Sequence, residues 1–302
     1  MSKSTAFMGS KEAGLQLCSL LCELLPRGTL KAIICPNDSQ DSRSVFPLFL
    51  DIAQKNNIPI HITNSREETA SLIDKYNVQI SFVHGWYQII PIDGSCEFYG
   101  FHYSLLPKYR GNAPLVWQII NGESEVGVSF FRFNEFMDEG EIVSQEKVKL
   151  ECNEDIGDAL RKTNALAIEL ARKYIPHIIS NEIALFPQSK DQPSYCGMRI
   201  KDDGRVDWSW SAKRVHDFIR AQASPYPGAF SFTENGGKVI FWKSSLEPRV
   251  FYGVPGSVVA VMENAVTVAC GSGAIRLHII EEETGGKRNA SEVFKSLKSR
   301  LV

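Results

Sequence analysis

The chain has 302 residues, of which 43% are hydrophobic and 23% charged. That is enough apolar material for a core without disulfide or metal staples, and too much for a disordered chain. Lys and Arg number 33 against 35 Asp and Glu, a net charge of -2, which withholds the basic excess that gripping a nucleic-acid backbone draws on. No apolar run approaches the roughly 18 residues of a bilayer span, and the opening MSKSTAFMGS is too short and polar for a signal peptide. A cytoplasmic protein without membrane contact is expected. The seven cysteines are scattered, with no Cys-x-x-Cys pair, and are expected to be reduced thiols that hold no metal.

In chain order, residues 5–9 predict a short strand, and the apolar spacing of 12–25 predicts a helix that Pro26-Arg27-Gly28 ends. Strands follow at 31–36, 58–62 and 78–85, separated by helices near 44–56 and 65–76. Asn64 or Ser65 is placed to cap the second of these helices. This alternation predicts a parallel sheet covered on both faces. A short strand near 98–102, a loop, a helix at 114–121 and strands at 127–133 and 141–150 come next. Residues 156–180 form a long amphipathic helix in which Pro176 predicts a kink or an early end. Residues 187–204 turn rich in Pro, Gly, Asp and Ser. Beyond them a helix at 211–223 precedes short strands with close turn signals, Asn235-Gly236 among them, which predict a small barrel. The expected organisation is an α/β domain over 1–189, a linker over 190–204 and a mainly β domain over 205–302.

The glycine that ends the first strand, Gly9, lacks the rest of a dinucleotide fingerprint and reads as packing. Chemistry concentrates in 98–140, where His102 follows a short strand and Asp138 closes a later loop. Loops at the carboxyl ends of parallel strands are where ligands bind in such sheets. A histidine near neutrality beside a carboxylate suits proton handling. By themselves these two residues also fit a hydrogen-bonded core histidine and a turn-forming aspartate. The other five histidines, His61, His84, His177, His216 and His278, show no metal-ligand spacing.

The stretch His102-x-Ser104-Leu105-Leu106-Pro107-x-Tyr109-Arg110-Gly111 resembles the signature of the formyltransferases that use 10-formyltetrahydrofolate. Gly122-Glu123 with Gly127-Val128-Ser129, and Asp138-x-Gly140-x-Ile142, resemble it too. Residues 206–231 are similar to the segment that opens the C-terminal domain of methionyl-tRNA formyltransferases and of the sugar N-formyltransferases. The resemblance implies a Rossmann-like catalytic domain with a parallel-rich sheet, then a small OB-like β-barrel. It implies formyl transfer from 10-formyltetrahydrofolate to a primary amine. His102 would stabilise the oxyanion that forms as the amine attacks, and Asp138 would orient His102 and help the amine lose its proton. The folate would lie against the loop of Gln88, Ile89 and Ile90, with Met137 and Asp138 opposite. Ser104 and Arg110 are expected at the substrate, Arg110 either on an anionic phosphate or holding its own loop.

One position departs from the family pattern. Two residues before His102, where the family carries an asparagine that donates to the oxyanion, stands Gly100. A water could take that space, Tyr103 or Asn112 could reach in, or the chain could be a weak catalyst or a folate or sugar-nucleotide binder without turnover. For the acceptor, the stretch 35–49 has one Arg and two Asp, where methionyl-tRNA formyltransferases carry a basic loop for the acceptor stem. A small amine, above all a nucleotide-linked amino sugar, is therefore expected ahead of tRNA.

Overall fold

The computed structural model describes residues 3–283 and 285–302, which group by contact into two units. Among the described residues the first comprises 3–111, 127–148 and 162–195, and the second 112–126, 149–161, 196–283 and 285–302. In chain order the elements are β1 (Thr5–Gly9), α1 (Lys11–Leu24), β2 (Leu30–Pro36), α2 (Phe46–Asn56), β3 (Ile60–Thr63), α3 (Arg66–Lys75) and β4 (Ile80–His84). They continue with β5 (Glu97–His102), β6 (Arg110–Gly111), α4 (Pro114–Ile120), β7 (Glu125–Arg132), β8 (Ile142–Lys149), α5 (Ile156–Ser180) and β9 (Tyr195–Cys196).

The first unit carries a sheet of order β3-β2-β1-β4-β5-β7-β8. Strands β1 to β5 pair in parallel, as their alternation with helices requires, and β7 lies antiparallel to β5. All five residues of β1 are buried. Phe7 joins a cluster with Leu17 and Leu21 of α1 and Leu170 and Ile175 of α5. Its neighbours Ala6 and Met8 join another with Ile73 of α3 and Phe98. The period-2 alternation of one strand thus feeds two helical layers. Ser65 caps α3 by accepting the Glu68 N–H at 3.2 Å. Pro176 does not end α5, which runs on to Ser180.

The β1–α1 turn is a packing device. A Cβ on Gly9 would lie 2.0 Å from the His84 carbonyl oxygen, and one on Gly14 would lie 2.8 Å from it. The Lys11 ammonium there is held by Asp38 at 2.9 Å and Asp41 at 2.8 Å, carboxylates that oppose a pyrophosphate.

The second unit adds α6 (Ala212–Ala221), β10 (Ala229–Phe232), β11 (Lys238–Leu246), β12 (Val258–Val261), β13 (Val266–Ala269), β14 (Ala274–Glu282), β15 (Lys287–Asn289) and α7 (Ala290–Val293). The barrel expected from the strand spacing takes the form of a six-stranded antiparallel sheet of order β10-β11-β14-β13-β12, with β15 on β14. Asn235-Gly236 lies in the β10–β11 hairpin, where Gly236 takes φ +83°. Val215, Phe218 and Ile219 of α6 pack on Phe241, Val268 and Leu277. Val302 exchanges both backbone hydrogen bonds with Phe232, and Leu301 donates to Gly256, so the last residues touch both margins of this sheet. Among the described residues all seven cysteines are free, and no helix is long and apolar enough to cross a membrane.

Candidate active site

His102 ends β5 and is 7% exposed. Its Nε2 lies 2.7 Å from the backbone oxygen of Tyr109. A carbonyl only accepts, so Nε2 carries a hydrogen. Nδ1 faces Asp138 Oδ2 at 3.6 Å, beyond direct hydrogen-bond reach. Asp138 Oδ2 also accepts the Gly111 N–H at 2.7 Å. The structure thus brings together the two residues picked out for chemistry, and three consecutive residues, 109 to 111, hold both.

The backbone is bent to achieve this. Tyr109, Asp138 and Gly111 have φ of +59°, +53° and +96°, the left-handed region that costs residues with a Cβ and is least foreign to Asp and Asn. At Gly140 a Cβ would sit 1.6 Å from the Arg132 carbonyl oxygen, so the Asp-x-Gly spacing is a steric requirement. A further glycine of the signature, Gly127, makes room for Leu105, whose Cδ2 would be 2.5 Å from an added Cβ. Ser129 accepts the Leu106 N–H at 3.0 Å and donates to the Ser104 carbonyl at 2.6 Å.

Ser104 is fully buried and donates to the Lys108 carbonyl at 2.6 Å, a bond within its own turn. Arg110 is also buried. Its guanidinium donates to Gln188 Oε1 at 3.2 and 2.7 Å, to Glu139 at 2.7 Å and to Tyr195 at 3.1 Å. Of the two roles open to Arg110, these contacts support the holding of its own loop.

Gly100 has a specific surrounding. A Cβ there would meet the Val83 carbonyl oxygen at 2.5 Å and Phe133 Cε2 at 2.7 Å. Main chain and ring already fill the place from which an asparagine would spring. Tyr103 is engaged elsewhere, its hydroxyl bonded to His84 Nε2 at 2.9 Å and to Asn164. Asn112 groups with the second unit. Burial presses the His84 imidazole down to about 4, so it is neutral.

The β4–β5 loop and the β7–β8 loop line one cavity of about 640 Å³, with Ile92, Asp93 and Phe98 on one side and Phe133, Asn134, Glu135 and Gly140 on the other. On the first loop Gln88 Nε2 donates to the Thr63 carbonyl at 3.0 Å. Gln88 Oε1 and Trp86 Nε1 are buried with no protein partner. Ile90, like Trp86, Ile92 and Phe133, packs against the core cluster of Met8 and Phe98, whereas Ile89 and Met137 are 73% and 61% exposed. The cavity wall mixes apolar Ile92, Phe98 and Phe133 with charged Asp93, Glu97, Arg132, Glu135 and Glu141, and the orphaned donor of Trp86 and acceptor of Gln88 are free to serve a bound group. Ile92, Phe98, Phe133 and Asn134 had no motif to mark them. Tyr109 stood inside the motif, but nothing in the motif distinguished its carbonyl.

Residues 42–173 match the family described as formyl transferase, and residues 199–298 match the formyl transferase C-terminal domain. Among solved structures, the chain is similar to WlaRD, a sugar 3N-formyl transferase in the presence of dTDP and 5-N-formyl-THF. The TM-score is 0.71 with 22% identity, covering 95% of this chain and 100% of that one. It is similar to an N-formyltransferase from Helicobacter canadensis in complex with folinic acid and dTDP-3-aminofucose, at TM-score 0.69 and 20% identity over 91% and 99% of the two chains. HypX from Aquifex aeolicus in complex with tetrahydrofolic acid gives TM-score 0.65 and 17% identity over 98% of this chain and 48% of HypX, so the chain spans about half of HypX. At these identities the likeness shows the shared fold.

Proposed function

We propose, from the premise that this chain belongs to the formyl transferase family, that it moves a formyl group from 10-formyltetrahydrofolate to the primary amine of a nucleotide-linked amino sugar. The single observation that carries the chemistry is the pair of buried His102 and half-buried Asp138, held by Tyr109 and Gly111. The folate supplies the formyl carbon. Trp86 and Gln88 are the residues to hold its ring system, with Ile89, Ile90, Met137 and the far wall at Asp138 enclosing it.

The protein's own part is proton placement. Tyr109 takes up the His102 Nε2 hydrogen, so Nδ1 is the ring nitrogen left to accept a proton and present it to a developing negative oxygen. Asp138 faces that nitrogen and is the acceptor at hand for a proton leaving the amine. The burial of His102 keeps it in a medium where such charges act strongly. With Gly100 walled by Phe133, His102 carries the oxyanion without a neighbouring side-chain amide at position 100.

The acceptor class is supported by charge. The chain is nearly neutral overall, and its one lysine at the β1–α1 turn is bound by two aspartates, which suits a small substrate better than tRNA. The two sugar formyltransferases of similar fold were seen with dTDP or a dTDP-amino sugar. The test incubates the chain with 10-formyltetrahydrofolate and a panel of dTDP- and UDP-linked amino sugars, with unformylated methionyl-tRNA as comparison. Tetrahydrofolate release with a formylated sugar product supports the proposal. Turnover on tRNA alone overturns the acceptor class. Folate binding without turnover on any amine makes the chain a binding protein.

A further inference from the structure

We infer that Gln188 is a positioning residue for this site, because its side-chain amide joins the loop that holds Asp138 to the loop that holds His102. The inference rests on the function proposed above.

Gln188 lies inside the 187–204 stretch of turn-forming residues, just before the linker expected over 190–204. Its Nε2 donates to the Asp138 carbonyl at 2.7 Å and to the Gly140 carbonyl at 2.8 Å. Its Oε1 accepts from Arg110 Nε at 3.2 Å and Nη2 at 2.7 Å. Arg110 stands between Tyr109, whose carbonyl holds His102, and Gly111, whose N–H holds Asp138. The hydrogen bonds therefore run from His102 through residues 109 to 111 to Asp138, and return through Gln188.

The amide's chemistry fits both sides. A primary amide has two hydrogens to give and an oxygen with two lone pairs. Here the two hydrogens go to carbonyls and the oxygen takes two guanidinium hydrogens. The reversed amide would set oxygen against carbonyls and hydrogens against the guanidinium, so the orientation is fixed by its neighbours. Glutamate would keep the arginine side and turn a carboxylate toward two carbonyl oxygens. Methionine would keep the shape and make neither set of bonds.

Gln188 also meets Asp138 where the backbone is least at ease, at φ +53°. A left-handed aspartate persists only where its surroundings fix it. Releasing its carbonyl frees the carboxylate to leave Nδ1. Small displacements of a catalytic group cost up to about 10²-fold in rate.

The experiment compares wild type, Gln188→Glu and Gln188→Met in the full chain, each first shown folded by its melting curve. On the amine found in the panel, kcat is expected to fall about 10- to 100-fold in both variants, with KM for the amine within about threefold. The second readout needs no acceptor. In enzyme labelled with ¹⁵N-histidine, the His102 ring signals are assigned by their loss in His102→Asn. Wild type should show a hydrogen held on Nε2, and both variants should shift toward exchange between the two ring nitrogens. Folded variants with unmoved His102 signals overturn the inference, as does a Gln188→Glu enzyme with unchanged kcat. If wild type turns over no amine, the proposed function fails by itself and the ring signals still decide the role of Gln188.

Discussion

Gly100→Ala is the smallest change that tests how this site is built. The added methyl would begin 2.5 Å from the Val83 carbonyl oxygen and 2.7 Å from the Phe133 ring. Ordinary contact begins near 3.4 Å, so the ring must move by roughly 0.7 Å and the strand by roughly 0.9 Å. The ring can turn, but the carbonyl belongs to β4, which is hydrogen-bonded into the sheet from both sides. Overpacking of this kind costs about 1–3 kcal/mol, and a main-chain obstacle puts the cost toward the upper end. For a unit of this size about 1 kcal/mol lowers Tm by 2–4 °C. Melting by circular dichroism should therefore show a loss of about 4–10 °C. Adding Phe133→Ala should lift the ring clash and leave the carbonyl clash, so Gly100→Ala should remain destabilising in that background. A Gly100→Ala protein that melts with wild type would show that position 100 has room, and the account of the missing asparagine would fall.

His102→Asn should lower formyl transfer by about 10²–10⁴-fold while the protein stays folded, measured by tetrahydrofolate release; wild-type rates would remove His102 from the mechanism. Arg110→Lys should disturb the site without abolishing folate binding, since one ammonium cannot replace a guanidinium that serves Gln188, Glu139 and Tyr195 together; titration with 5-formyltetrahydrofolate checks this. His84 gives a pH signature. Its folded value near 4 lies below the ordinary histidine value of 6.5, so the unfolded chain takes the proton more readily. Stability is full above about 6.5 and drains away as pH falls toward 4, by about 3 kcal/mol for this residue. Urea unfolding of His84→Leu should show a shallower loss across that window, and an unchanged slope would contradict it.

Much of the first unit was legible because its signals are local. The alternation of β-branched runs with amphipathic helices predicts β1 to β4 within a residue or two, and the long helix at 156–180 was placed to the residue. His102 and Asp138 were legible through the motif around them. What escaped depends on residues far apart in sequence. Phe133 fills the space over Gly100 only because β5 and β7 pair, with Gly100 opposite Phe131. Gln188 sits among turn-forming residues, and composition reports how the backbone bends there rather than what one amide reaches. Segments 112–126 and 149–161, which order in sequence put with the first domain, take their contacts with the second unit.

That reach of Gln188 fixes when the site can exist. During synthesis His102, Asp138 and all seven strands of the sheet have left the ribosome while the residues that brace them are still being added. A nascent chain halted near residue 180, or a fragment cut there because the next stretch looks dispensable, would carry every atom of the reacting pair and lack the brace that holds them. Such a fragment would hold every strand of the sheet in its sequence and still be a poor stand-in for the enzyme.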